Sequence, residues 1–190
     1  MNFEEAMRLH REFEGQTQWI EAHELYQAVL NTPSGAVVEV GSATGGTTIV
    51  LIAAASKVGK KVISVDPYPE KIEGEALFYN KGMMSAFKKK FEDNILNKAH
   101  DVIQYNSDLS ECINEIPSVS VAFIDGCHEI DFANREYSLL LSKMVKGGVI
   151  YFHDVNWERG QLTGESDRGL NQLTGQLNGD IIGTMLKIVI

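Results

Sequence analysis

The stretch FIDGCHEIDF, residues 123–132, follows an apolar run and crowds Asp125, Cys127, His128, Glu129 and Asp131 together. Carboxylates and an imidazole so close in sequence can hold a divalent cation, move a proton near neutral pH, or do both. A second group stands at GVIYFHD, residues 148–154, where His153 and Asp154 also close an apolar run. A third stretch, EVGSATGGTTIVL at 39–51, is glycine-rich. Gly41, Gly45 and Gly46 let the backbone turn tightly and come close to a ligand, while Thr47 and Thr48 open a helix. Asp66 ends the run VISVD, where its carboxylate can accept from both hydroxyls of a ribose or simply turn the chain before Pro67. After DVIQY, the residues Asn106, Ser107 and Asp108 can bond an adenine edge or cap the next helix, with Ser107 the expected cap.

These groups need elements that bring them to one place. Short β-rich runs, AVVEV (36–40), KVISVD (61–66), DVIQY (101–105), VSVAFID (119–125) and GVIYFHD (148–154), alternate with helix-length segments near 47–58, 75–98, 109–116 and 131–145. Continuously apolar strands alternating with helices predict a doubly wound α/β fold, its parallel sheet covered on both faces. Ligands in such sheets gather beyond the carboxyl ends of the strands, where the strand order reverses. Ahead of the core, the apolar positions Phe3, Met7, Phe13, Ile20, Leu25, Val29 and Leu30, interrupted by Gly15, predict two short amphipathic helices. The expected organisation is one domain over 1–190, with a helical cap at 1–34 and an α/β core at 35–190.

Composition excludes several partners. With 26 acidic against 17 basic residues the formal charge is −9, which repels phosphate backbones and anionic lipid surfaces. The basic run Lys88-Lys89-Lys90 is followed at once by Glu92 and Asp93 and reads as a solvated helix face. Cys112 and Cys127 form no C-x-x-C pair, and the N-terminus is charged rather than apolar, so a reduced, cytoplasmic protein is expected. No run of the sequence has the length of a membrane span.

EVGSATGGTTIVL, VISVDP, FIDGCHEIDF and GGVIYFHDV, in this order and spacing, resemble the class I S-adenosylmethionine-dependent methyltransferases. The nearer likeness is to the branch with macrocin-type sugar O-methyltransferases and cephalosporin hydroxylase-like proteins, whose pattern is E-x-G-x-x-x-G-x-[ST], D-G-x-H and G-G-V-x-x-x-H-D. The resemblance implies a Rossmann-like methyltransferase fold with S-adenosylmethionine bound by Glu39, Gly41, Ser42, Gly45, Asp66, Ser107 and Asp125. It further implies a divalent cation, Mg²⁺ or Mn²⁺, held by Asp125, His153 and Asp154, and His128 as the general base. Where some members carry a second carboxylate this chain has His153, and Ala43 replaces the middle glycine of the commoner G-x-G-x-G turn.

The expected reaction is O-methylation of a hydroxyl on a small or sugar-like acceptor, with Asp125 and His128 catalytic. A nicotinamide-dependent oxidoreductase and a non-catalytic nucleotide-binding module stay open as alternatives, since Gly41 and Asp66 would serve them too. Glu129 and Asp131 are expected to start a helix, Glu136 to be structural, and Cys127 to be chemically inert. Trp157 and Arg159, in a polar glycine-containing segment, are candidate acceptor contacts. GLNQLTGQL predicts a last helix. The terminal run DIIGTMLKIVI is expected to give one merged edge strand, uncovered at IVI, and hence a symmetric homodimer.

Overall fold

The computed structural model describes residues 1–68, 81–98, 100–155, 157–158, 161–162 and 173–190. Six helices, α1 (Phe3–Glu12), α2 (Trp19–Asn31), α3 (Gly46–Val58), α4 (Lys81–Asn94), α5 (Leu109–Cys112) and α6 (Ile130–Leu141), alternate with strands. The strands are β1 (Ala36–Val40), β2 (Val62–Val65), β3 (Val102–Tyr105), β4 (Val119–Ile124), β5 (Met144–Phe152), β6 (Trp157–Glu158), β7 (Gln161–Leu162), β8 (Asp180–Ile182) and β9 (Met185–Val189). Seven of them form one sheet in the order β3-β2-β1-β4-β5-β9-β8, and β6 pairs with β7 alone. Pairing is parallel from β3 through β5 and antiparallel through β9 and β8.

Strand alternation splits the core between two faces. Val37, Val62, Val121, Phe123, Val149 and Tyr151 pack with the apolar sides of α1, α2 and α3. Their sequence neighbours Val38, Ile63, Ala122, Ile124, Ile150 and Phe152 face α5 and α6. Helix α3 is buried from Gly46 to Ala55, because the cap helices cover the side that the sheet leaves open. Asn2 starts α1 with a reciprocal cap, accepting from the Glu5 N–H at 2.9 Å while the Glu5 carboxylate accepts the Asn2 N–H at 2.9 Å. No helix among the described residues is long and apolar enough to cross a membrane.

Two expectations need correction. The chain end forms two strands, not one merged strand, because a turn at Gly183 and Thr184, with Gly183 at φ +62°, reverses the chain between β8 and β9 in minimal length. Strand β9 is paired on both sides only over Met185–Lys187, where the short β8 meets it; Ile188 and Val189 pair with β5 alone, so among the described residues the edge at IVI is uncovered, as expected. The cap of α5 is Asp108, one residue after Ser107: its side chain accepts the Ser110 N–H at 2.9 Å. Arg159 and residues 169–172 of the expected last helix lie outside the described residues.

Candidate functional site

The strand ends are level. Val40 is in register with Val65 and with Ile124, Val65 with Tyr105, and Ile124 with Phe152. The ladder continues one residue further, through Gly41 N–H to Val65 O, Asp66 N–H to Tyr105 O, Asp125 N–H to Val40 O and His153 N–H to Ile124 O. Gly41, Asp66, Asp125 and His153 therefore leave the sheet along one line. The chain runs β1, β2, β3 to one side and returns at β4, so the line crosses the point where strand order reverses, between β1 and β4.

Over β1, the glycine turn is shaped by protein on several sides. A Cβ on Gly41, at φ +85°, would lie 2.2 Å from the Asp125 carbonyl oxygen. One on Gly46 would lie 2.3 Å from the Cα of Gly15, in the link between the cap helices. Thr44 donates to the Phe13 carbonyl and accepts on its own carbonyl the Asn94 side-chain amide at 2.8 Å. The expected ligand cradle is also the seat of the cap. Gly41 and Ala43 keep partial exposure on the remaining side.

Asp66 is 6% exposed and holds this turn from β2. One carboxylate oxygen accepts the N–H groups of Ser42 at 2.9 Å and Ala43 at 3.0 Å; the other accepts the Tyr68 N–H at 2.9 Å. Burial raises its pKa against the lowering effect of these bonds. A carboxylate offers about four acceptor positions, so about one remains for a ribose hydroxyl. Tyr68 donates its hydroxyl to the Ala43 carbonyl at 2.8 Å, and Ala43 and Tyr68 both have positive φ, +45° and +42°. Ser42 pairs its hydroxyl with that of Ser64. Glu39 is fully buried, accepts from Thr48 Oγ1 at 2.5 Å on one oxygen, and has no partner on the other. Burial, with Asp125 and Asp66 nearby, pushes its pKa up to about 8. An S-adenosylmethionine-sized ligand fits this chemistry, since its ammonium and ribose hydroxyls are donors, Asp66 has a spare acceptor position, and the unpartnered oxygen of Glu39 becomes an acceptor when a cationic ligand favours its ionised form.

Across β4 and β5, Asp125, His128 and Asp154 each offer a ligand atom, all within 4.8 Å of one another. Asp154 sits at φ +58° and places Oδ2 3.9 Å from His128 Nε2. Two carboxylates and an imidazole suit Mn²⁺ or another first-row ion better than Mg²⁺. His153 stands beside this group with both ring nitrogens engaged by carboxylates. Its Nδ1 lies 3.0 Å from Asp125 and 3.3 Å from Asp154, and its Nε2 lies 3.3 Å from Glu21. Burial pulls the ring's pKa down, but its bonds to Asp125, Asp154 and Glu21 prevail and hold it at about 12. Both His153 nitrogens face carboxylates, and the ligand atoms that converge are those of Asp125, His128 and Asp154.

Ser107 is half-buried at the end of β3, and the adjacent Asp108 pairs with Arg135 at 2.6 Å. Burial pushes the Cys127 thiol up, as expected of an inert cysteine, and Glu129 and Asp131 begin α6. Glu136, nearly buried, is pushed up to about 8 by burial and by Asp108, with one oxygen unpartnered near Gly126. Lys89 and Lys90 pair with Asp93 and Glu14. Glu21 escaped the sequence reading, although it shares a helical stripe with the buried Leu25 and Ala28, where a carboxylate is out of place.

A family described as a methyltransferase domain matches residues 38–155. No curated protein matches the sequence. Among solved structures, the chain resembles the O-methyltransferase NovP, with TM-score 0.64 and 15% identity over 87% of this chain and 77% of that one. It also resembles the O-methyltransferase TomG from Streptomyces achromogenes, involved in tomaymycin synthesis and solved with SAM (TM-score 0.60, 14% identity, 98% and 88% covered). A third is the SAH-bound Podospora anserina methyltransferase PaMTH1 (TM-score 0.64, 9% identity, 98% and 86% covered).

Proposed function

Because the chain belongs to the methyltransferase-domain family, we propose that it transfers the methyl group of S-adenosylmethionine to a hydroxyl of a small-molecule or sugar-like acceptor. The observation that carries this reading is the level row of strand ends, which sets Asp66 and the glycine turn beside Asp125, His128 and Asp154. Bound cofactor supplies an electrophilic methyl on a positively charged sulfur. Glu39, Ser42, Asp66 and Ser107 would orient it, with the glycine turn against its polar groups. The acceptor hydroxyl must lose its proton as the methyl arrives, and the His128 imidazole is the group placed to take it. Asp154 Oδ2 lies 3.9 Å from that ring, and Asp125 and Asp154 would hold a divalent cation able to acidify a bound hydroxyl.

O-methylation, rather than transfer to another atom, is supported by NovP and TomG, which are O-methyltransferases of the same fold. A symmetric homodimer remains part of the proposal, supported by the IVI edge beyond β8 and by Trp19 and Ile20, 54% and 52% exposed on α2. Calorimetric titration tests the reading: S-adenosylmethionine should bind and oxidised or reduced nicotinamides should not. The reverse result would assign the cradle to redox chemistry.

A further inference from the structure

The cap helix α2 reaches the centre of the site through one side chain. Glu21 is fully buried, and both of its carboxylate oxygens have polar partners. Oε1 accepts from the Thr184 N–H at 2.6 Å and the Thr184 hydroxyl at 2.8 Å; Oε2 accepts the Gln18 N–H at 2.6 Å and faces His153 Nε2 at 3.3 Å. A Cβ on Gly183 would lie 2.4 Å from Oε1, so the β8–β9 turn is moulded to this carboxylate. The contacts to Thr184 and Gln18 would be met by any oxygen. The fourth fixes the rotation of the His153 ring, whose far nitrogen lies between Asp125 and Asp154. Phe123 meets the ring edge-on, 5.7 Å between centroids, and leaves its rotation to the polar contacts.

We propose that Glu21 is a positioning residue for the methyl-transfer site: it holds the His153 ring so that Nδ1–H tethers Asp125 and Asp154 in the arrangement that binds a divalent cation beside His128. This rests on the cation reading of the preceding subsection and adds a residue outside the 38–155 family match. Two like charges brought this close separate unless a donor bridges them. Without Glu21 the ring is free to turn and the bridge opens. Outer partners of this kind act on metal affinity through the ligands they orient.

The test is Mn²⁺ titration of the full chain, followed by electron paramagnetic resonance, with S-adenosylmethionine calorimetry and thermal melting in parallel. Glu21→Ala should weaken Mn²⁺ binding by roughly 10–100-fold while cofactor affinity is unchanged. Glu21→Gln can accept from Thr184 and donate to Nε2, which keeps the proton on Nδ1; it should restore Mn²⁺ affinity to within about threefold of wild type. Should the alanine variant fail to fold, Glu21→Asp, which keeps the charge but withdraws it from the ring, should show the same loss. Wild-type Mn²⁺ affinity in a folded Glu21→Ala or Glu21→Asp protein overturns the inference. A wild-type protein that binds S-adenosylmethionine but no Mn²⁺ overturns the cation reading and this inference together. One that binds Mn²⁺ but no S-adenosylmethionine overturns methyl transfer alone and leaves the Glu21 comparison decisive.

Discussion

Asp66 closes the β1–α3 turn from the neighbouring strand, its Oδ2 taking the Ser42 N–H at 2.9 Å and the Ala43 N–H at 3.0 Å. The carboxylate holds the turn and, in the proposed cofactor complex, would also face a ribose. Asp66→Ala should weaken S-adenosylmethionine binding by about 1–3 kcal/mol and also lower the melting temperature, because buried N–H groups lose their acceptor. Calorimetry and thermal melting check both effects. A variant that loses affinity without losing stability would show that the turn holds itself.

The positions of Asp66, Asp125 and Asp154 were legible because each ends a continuous apolar run, and parallel strands in register must put such residues on one edge. Glu21 was not, since its partners His153 and Thr184 lie 132 and 163 residues away and only the packing of α2 against the sheet joins them. Tyr151 and Lys187 meet Glu24 at 2.8 Å each in the same way. The glycines carried a meaning that spacing cannot convey: Gly41 and Gly46 make room for Asp125 and Gly15. The terminal hairpin was missed because full-length strands were assumed, whereas β8 spans only Asp180–Ile182.

Stability should fall as pH rises from about 4.5 to about 8 through Glu39, whose pKa burial lifts across that window. The unfolded chain releases this proton at the lower value and the folded chain keeps it to the higher one, so the folded state binds more protons in between. The cost at pH 7 is on the order of 3 kcal/mol. Glu39→Gln, which can still accept from Thr48, should flatten the slope and raise stability at neutral pH in the cofactor-free protein. Glu136 contributes a slope of the same sign over the same window, and His153 one above 6.5, so some slope should remain. Denaturant midpoints between pH 5 and 8 measure it; an unchanged slope would mean that Glu39 is ionised in the folded protein.

The cap should be sensitive to a single methyl group at its seat. Gly46→Ala places a Cβ 2.3 Å from the Cα of Gly15, backbone against backbone, and should cost about 1–3 kcal/mol by overpacking. Gly59→Ala is the comparison: nothing lies within 4 Å of its Cβ, and only the strain of φ +68° should register, on the order of 1 kcal/mol. Denaturant unfolding of the two variants separates steric from backbone cost. Equal losses would mean that the α1–α2 link yields freely.

Binding and chemistry should separate at the end of β4. Chelation by EDTA should abolish turnover and leave S-adenosylmethionine affinity nearly intact, because Asp125, His128 and Asp154 form one group and the cradle of Glu39, Ser42 and Asp66 another. His128→Ala should likewise spare cofactor affinity, and its rate should fall by roughly 10²–10⁴ from loss of the general base. Asp125→Asn should remove the metal dependence along with the activity, while keeping an oxygen to accept from His153. Methyl transfer that survives both chelation and His128→Ala would leave alignment of acceptor and methyl donor as the whole source of the rate.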